Sequence, residues 1–125
     1  MKCLIKIFGG NDRGGEYKSD GEIEFTLNGF WLLYELNGDK CELSFDGQTV
    51  TQKRKGAFSA EMLFAEGKET VCKFYDGGYT GELPVYTNKI ALTKSGLNIK
   101  LSLDYLCGGE RSKLDLSAEV IQEKK

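Results

Sequence analysis

Short turn signals recur at nearly regular intervals along this chain, and they constrain its fold more than any other feature. They are Asn28-Gly29, Asn37-Gly38, Asp46-Gly47, Lys55-Gly56, Glu66-Gly67, Gly77-Gly78, Ser95-Gly96 and Gly108-Gly109. The runs between them mostly alternate apolar and polar residues, as half-buried β-strands do. The spacing therefore predicts an antiparallel meander of β-hairpins, with Asn28-Gly29 as its strongest type I′ turn signal.

The runs between the turns divide into predicted strands. These are Lys2–Phe8, Glu22–Leu27, Phe30–Leu36, Lys40–Phe45, Gln48–Arg54, Ala57–Phe64, Thr70–Tyr75, Gly81–Thr87, Ile90–Lys94, Leu97–Cys107 and Lys113–Val120. Ala57–Phe64 also contains helix-favouring residues, but the short loops beside it favour a strand. Pro84 cannot donate to a ladder, so its strand is predicted to lie at an edge or to be bulged there. The polar, glycine-rich segment Gly9–Gly21 is predicted to be a solvated connection.

A sheet of about nine to eleven strands with one apolar face does not stay open and flat. Hairpin connections favour closure as an up-and-down barrel, which removes exposed edges. We therefore expect an all-β fold, with residues 1–125 forming a single domain. Its single antiparallel up-and-down meander closes into a barrel of about eight to ten strands.

Composition excludes several functions. The 125 residues contain no histidine, which removes the commonest general base and metal ligand. A net charge of −2 lacks the basic footprint of a nucleic-acid binder, and no segment is long enough to span a membrane. The four cysteines, Cys3, Cys41, Cys72 and Cys107, form no Cys-x-x-Cys pair and are expected to be reduced and buried. The expectation is a cytoplasmic protein that is not an enzyme, with no catalytic residues, metal or cofactor.

The segment Gln48–Arg54 keeps the turn spacing but has no apolar face. Arg54 and Gln52 share a strand face with Val50, so an inward arginine would need an acceptor. That acceptor could be a protein carboxylate or the acid head group of a bound amphiphile. Alternatively, Arg54 belongs with its neighbours to a solvated basic run at a hairpin end.

Tyr34, Tyr75 and Tyr105, like Trp31 and Tyr86, combine apolar bodies with polar tips. Such residues line a pocket or fill a core. The first hypothesis is non-enzymatic binding of a small apolar or amphipathic molecule inside the barrel. Its candidate ligand-binding residues are Arg54, Gln52, Tyr34, Tyr75 and Tyr105. The alternative is a filled-core barrel acting through its outer surface as a protein-interaction or regulatory module. A homodimer contact centred on Trp31, with Leu33 beside it, is the surface that the sequence offers for this.

An ordered set of glycines, aromatic residues and one arginine resembles the YwiB-like family. The residues are Gly21-x-Ile23-x-Phe25, Gly29, Arg54-Lys55-Gly56, Phe64-x-x-Gly67, Tyr75, Gly81-Glu82-Leu83, Thr87 and Leu101-x-Leu103-x-Tyr105. The resemblance covers nearly the whole chain from Gly21 onward. Members are small bacterial proteins of unknown function with a calycin-like, lipocalin-type β-barrel. The resemblance therefore implies a closed calycin-like barrel and supplies no activity.

Overall fold

The structure, a computed structural model, describes residues 1–9 and 16–121. Ten β-strands account for nearly all of these residues. The strands, in chain order, are β1 (Lys2–Gly9), β2 (Glu16–Phe25), β3 (Phe30–Leu36), β4 (Asp39–Phe45), β5 (Thr49–Lys55), β6 (Phe58–Ala65), β7 (Glu69–Asp76), β8 (Tyr79–Ser95), β9 (Asn98–Cys107) and β10 (Glu110–Val120). The segment predicted as strand or helix, Ala57–Phe64, is strand β6.

Each strand pairs antiparallel with its neighbours in the chain, and β1 also pairs with β10. The sheet therefore closes into a barrel in which the first and last strands are adjacent. Along that seam Cys3 lies opposite Val120, and Gly9 lies opposite Leu114. The predicted all-β, antiparallel up-and-down closed barrel is confirmed.

The turns show which glycines the backbone requires. Asn37 and Gly38 have φ of 51° and 85°, as a type I′ turn demands. At Asn28-Gly29 the type I′ prediction is wrong, because neither residue has a positive φ. The hairpin forms there through a longer loop, in which the Thr26 N–H donates to the Gly29 carbonyl at 3.0 Å. Gly29 is needed for space instead, because a Cβ there would overlap the carbonyl oxygen of Phe45.

Inward-facing side chains from every strand fill the barrel. The core contains Cys3, Ile5, Ile23, Phe30, Leu32, Tyr34, Cys41, Leu43, Val50, Phe64, Cys72, Val85, Ile99, Leu101, Leu103, Tyr105, Leu114, Leu116 and Ala118. Burial of each large apolar side chain contributes about 1.5–3 kcal/mol to folding. A slip of one residue in any strand would turn its apolar side chains to water, so this core also fixes the register.

Part of the predicted Gly9–Gly21 connection is strand. Residues 10–15 of that segment lie outside the described residues, but β2 begins at Glu16, and its residues 16–22 pair with β1. Its inward positions there are Tyr17, Ser19 and Gly21, which pair with Ile7, Ile5 and Cys3. Because polar and small residues occupy the inward face, the apolar alternation that marks a strand is missing.

One long strand replaces two predicted ones at Gly81–Thr87 and Ile90–Lys94. β8 runs through both and is bulged between Thr87 and Lys89, beyond Pro84. Pro84 is not at a sheet edge, since it pairs with Val71 of β7. Its carbonyl accepts the Gly108 N–H at 2.9 Å, where the β8–β9 ladder gives way to a turn. The missing N–H of proline therefore falls where no ladder partner is needed.

Candidate functional site

Arg54 of β5 forms an ion pair with Asp39 of β4. Its Nε donates to Oδ2 of Asp39 at 2.7 Å, and the two side chains are 28% and 10% exposed. A charge so shielded from water is stable only with a close partner of opposite sign. Of the acceptors that the sequence allowed for Arg54, the structure provides a protein carboxylate.

Asp39 also organises the neighbouring turn. Its Oδ1 accepts the backbone N–H of Ala57 at 3.2 Å. A Cβ at Gly56 would overlap the same carboxylate, so only glycine leaves room for it. Sequence reasoning missed Asp39, although Asp39 has the strand parity of Cys41 and Leu43 and could have been recognised as an inward carboxylate.

Three of the predicted site residues, Tyr34, Gln52 and Arg54, lie close together. Tyr34 is opposite Cys41, which is opposite Arg54, in one inward row across β3, β4 and β5. Gln52 donates from Nε2 to the Tyr34 hydroxyl at 3.4 Å. Burial, reinforced by the nearby Cys41 thiol, raises the pKa of Tyr34 to about 12. The phenol is therefore neutral at physiological pH and serves as a hydrogen-bond partner.

The other two predicted residues lie elsewhere. Tyr105 of β9 is buried against Phe64, with ring centroids 4.9 Å apart in an edge-to-face arrangement. Burial raises the pKa of Tyr105 as well. Tyr75 of β7 is exposed, and its strand parity puts it on the outer face, opposite to the inward Phe74. The five residues therefore do not converge on one interior pocket.

The thiols offer no activated nucleophile. Burial raises the pKa of Cys3, Cys41, Cys72 and Cys107, and all four are free. A raised pKa keeps a thiol protonated and unreactive at neutral pH. Over residues 1–9 and 16–121, no group of three or more Cys, Asp or Glu side chains could hold a metal ion.

An open cavity of about 700 Å³ lies over β5–β8. It is lined by three successive residues from each of these four strands, of which the middle ones point inward. The side chains around it are therefore two outward rows. They are Lys53, Glu61, Lys73 and Glu82 in one row and Lys55, Ser59, Tyr75 and Thr80 in the other. The cavity is thus a shallow groove on the outer surface of the barrel.

One of those rows alternates in charge, and we call its members Lys53, Glu61, Lys73 and Glu82 the charge ladder. Lys53 lies opposite Glu61, Glu61 opposite Lys73, and Lys73 opposite Glu82. All four are exposed. The ion pairs described in the structure are Arg54–Asp39 and Arg111–Asp104, and the charge ladder takes part in neither.

Apolar side chains on the outer face of β6–β9 form a neighbouring surface, which we call the apolar patch. Its members are Leu63, Val71, Pro84, Tyr86 and Leu106. Leu63 is 40% and Val71 44% exposed. The surface predicted around Trp31 is different, because Trp31 is half-buried and its indole N–H donates to Oε1 of Glu42 at 2.7 Å. The apolar patch thus lies across the barrel from the predicted surface.

Together these features define a class: a closed ten-stranded up-and-down β-barrel with a packed interior and an outer groove over four strands. The chain belongs to the family described as "Domain of unknown function (DUF1934)", whose model matches residues 7–114.

The fold is similar to that in the crystal structure of ywiB protein from Bacillus subtilis. That likeness has a TM-score of 0.79 at 20% sequence identity and covers 97% of this chain and 91% of that chain. The resemblance to the YwiB-like family is therefore confirmed, whereas its calycin-like classification stays a prediction. A search of curated proteins found no match. Among the described residues, no helix has the length and apolarity needed to cross a membrane.

Proposed function

We propose that this chain is a non-enzymatic binding module of the bacterial cytoplasm that contacts another protein through the outer face of β6–β9. The observation that carries the proposal is the apolar patch. It places four apolar residues and one tyrosine side by side on a face that the fold does not cover. Contiguous exposed apolar surface rimmed by polar residues is typical of protein interfaces.

The composition of this face supports a protein partner. The charge ladder borders the apolar patch, Tyr86 within the patch is exposed, and the exposed Tyr75 lies on the other side of the charge ladder. An apolar centre with a polar, charged rim and tyrosines is the usual anatomy of an interface. A net charge of −2 does not favour nucleic acid as the partner.

The packed interior makes a ligand inside the barrel the weaker hypothesis. Buried side chains from all ten strands occupy the space that a ligand would need. Arg54, which could have held an acid head group, is paired with Asp39. Binding of a small apolar or amphipathic molecule inside the barrel stays a prediction. Native mass spectrometry of the freshly purified protein tests it, because a ligand would add a mass that is lost on denaturation.

The chemistry of the buried groups supports a non-enzymatic role. General acids and bases work best when their pKa lies near the operating pH. Burial instead raises the pKa of the thiols and of Tyr34 away from neutrality. Free cysteines also support a reducing compartment such as the cytoplasm.

Site-specific photo-crosslinking in living cells tests the proposal. A photoreactive amino acid replaces Val71 in the apolar patch, and a matched chain carries it at Leu97. Leu97 is 41% exposed, against 44% for Val71, but lies in the β8–β9 turn. We expect a discrete protein adduct at position 71 and none at position 97. Absence of an adduct at 71, or equal adducts at both positions, would overturn the proposal.

A further inference from the structure

The order of charges in the charge ladder makes this face complementary to itself. Across β5, β6, β7 and β8 the signs are plus, minus, plus and minus, at Lys53, Glu61, Lys73 and Glu82. Read in the reverse direction, the order becomes minus, plus, minus and plus. A second copy that presents the row in reverse therefore offers an opposite charge at each of the four positions.

Only one orientation of a two-fold axis in the interface plane produces this reversal. An axis parallel to the strands and between β6 and β7 places Glu61 against Lys73 of the second copy and Lys53 against Glu82 of the second copy. Symmetry repeats each contact, so four opposite-charge contacts form. An axis along the row would instead place each residue against its own copy and would pair like charges, which is costly.

The same axis also matches the apolar side chains beside the charge ladder. Met62 and Cys72 are cross-strand partners, so the outward Leu63 and Val71 that adjoin them lie side by side on β6 and β7. Rotation about the axis brings Leu63 over Val71 of the second copy, and Val71 over Leu63. In the row on the other side, Ser59 meets Tyr75 of the second copy, which adds no like-charge contact.

We infer that a second copy of this chain docks on the outer face of β5–β8 about a two-fold axis running between β6 and β7, with Glu61–Lys73 contacts at its centre. This inference rests on the proposed function of the same face as a protein-binding surface. The groove of about 700 Å³ over these strands gives the long lysine and glutamate side chains room to interleave.

The small size of this face is typical of weak, transient interfaces. Four strands spaced about 4.8 Å apart and six residues rising about 3.4 Å each cover roughly 400 Å² per copy. A stable interface covers roughly 800 Å² per partner. The dimer is therefore weak and exchanges rapidly, with a dissociation constant between about 10 µM and 1 mM.

Sedimentation equilibrium with two charge-reversed chains tests the arrangement. In Glu61→Lys the introduced lysine meets Lys73 of its copy, and in Lys73→Glu the introduced glutamate meets Glu61 of its copy. Each variant alone repels itself at both central contacts, so its self-association should weaken at least about tenfold. When the two variants are mixed, both central contacts become lysine–glutamate pairs. The mixture should then form a heterodimer about as strong as the wild-type dimer.

A matched pair of variants controls for the change in net charge. Glu119→Lys and Lys100→Glu reverse exposed charges on β10 and β9, away from the groove. Each should self-associate like the wild type, and mixing should change nothing. Circular dichroism of all four variants checks that each is folded.

The remaining outcomes separate this inference from the proposed function. A wild-type chain that stays monomeric up to about 1 mM overturns the dimer. An adduct at residue 71 with a different protein would still support the binding module. If the chain dimerises but the mixture of Glu61→Lys and Lys73→Glu fails to recover association, the two-fold arrangement is wrong. If neither a dimer nor any adduct at residue 71 is found, both proposals fail.

Discussion

The contact between Gly56 and Asp39 allows one sharp prediction about stability. Gly56 does not have a positive φ, so alanine can adopt its backbone conformation. A methyl group there would nevertheless overlap the Asp39 carboxylate. We expect Gly56→Ala to displace this carboxylate from both of its partners, Nε of Arg54 and the N–H of Ala57.

The magnitude follows from the contacts that are lost. A hydrogen bond involving a charged group contributes about 1.5–3 kcal/mol to stability. Two such bonds weaken here, but Arg54 is 28% exposed, so water replaces part of the interaction. Gly56→Ala should therefore lower the free energy of unfolding by about 2–4 kcal/mol. Asp39→Ala, which removes the same bonds directly, should cost a similar amount.

A double-mutant cycle measured by urea denaturation checks the mechanism. Gly56→Ala alone should lower the midpoint by about 1–2 M. In an Asp39→Ala background the carboxylate that the methyl group would overlap is absent. Gly56→Ala should then be neutral or stabilising by up to about 1 kcal/mol. Lys55→Ala, an exposed neighbour, serves as the control and should stay within about 0.5 kcal/mol of wild type. Additive losses in the double variant would refute the steric reasoning.

Three further predictions concern single side chains. The neutral Tyr34 phenol stabilises the fold below pH about 10, and this contribution is lost as the pH rises towards its raised pKa of about 12. Stability should therefore fall less steeply with rising alkaline pH in Tyr34→Phe than in wild type, as measured by circular dichroism. The pKa of Asp46 is lowered because its carboxylate accepts hydrogen bonds from the N–H groups of Thr49 and Gln48. Its stabilising effect is therefore present above pH about 4 and is lost on acidification. Between pH about 6 and about 2, the urea midpoint should fall less in Asp46→Asn than in wild type. Among the described residues, the Thr87 hydroxyl is buried without a hydrogen-bond partner. Thr87→Val should therefore raise the free energy of unfolding by about 1 kcal/mol. A lower thermal midpoint than in wild type would contradict this.

Sequence periodicity predicted the strands well wherever one face is apolar. Leu101, Leu103 and Leu116 alternate with polar residues, and in the structure Leu116 lies opposite Leu101 on the inward face. The prediction failed at Ser19 and Gly21, because these inward positions are polar or small and only pairing with β1 makes the segment a strand. It also split β8 at a bulge, which interrupts the alternation without ending the ladder.

In the candidate site, parity along one strand predicts which face a side chain occupies but not which residue it contacts. The face of Arg54 follows from Val50, but its partner Asp39 comes from another strand and depends on register. The charge ladder is likewise invisible along the chain, because Glu61 and Lys73 become neighbours only when β6 and β7 pair. Register depends on the whole closed sheet, and turn signals fix it only locally.

The pairing of β1 with β10 has a consequence for folding during synthesis. The strand that completes the sheet is the last of the ten to be synthesised, so no closed barrel exists while the earlier hairpins emerge from the ribosome. Throughout that interval β1 and the newest strand each present a free edge with unpaired N–H and C=O groups. Joining the two ends of a chain is also the slowest kind of contact to form. The nascent, unclosed sheet is therefore the stage at which the unpaired edges of this chain most favour aggregation.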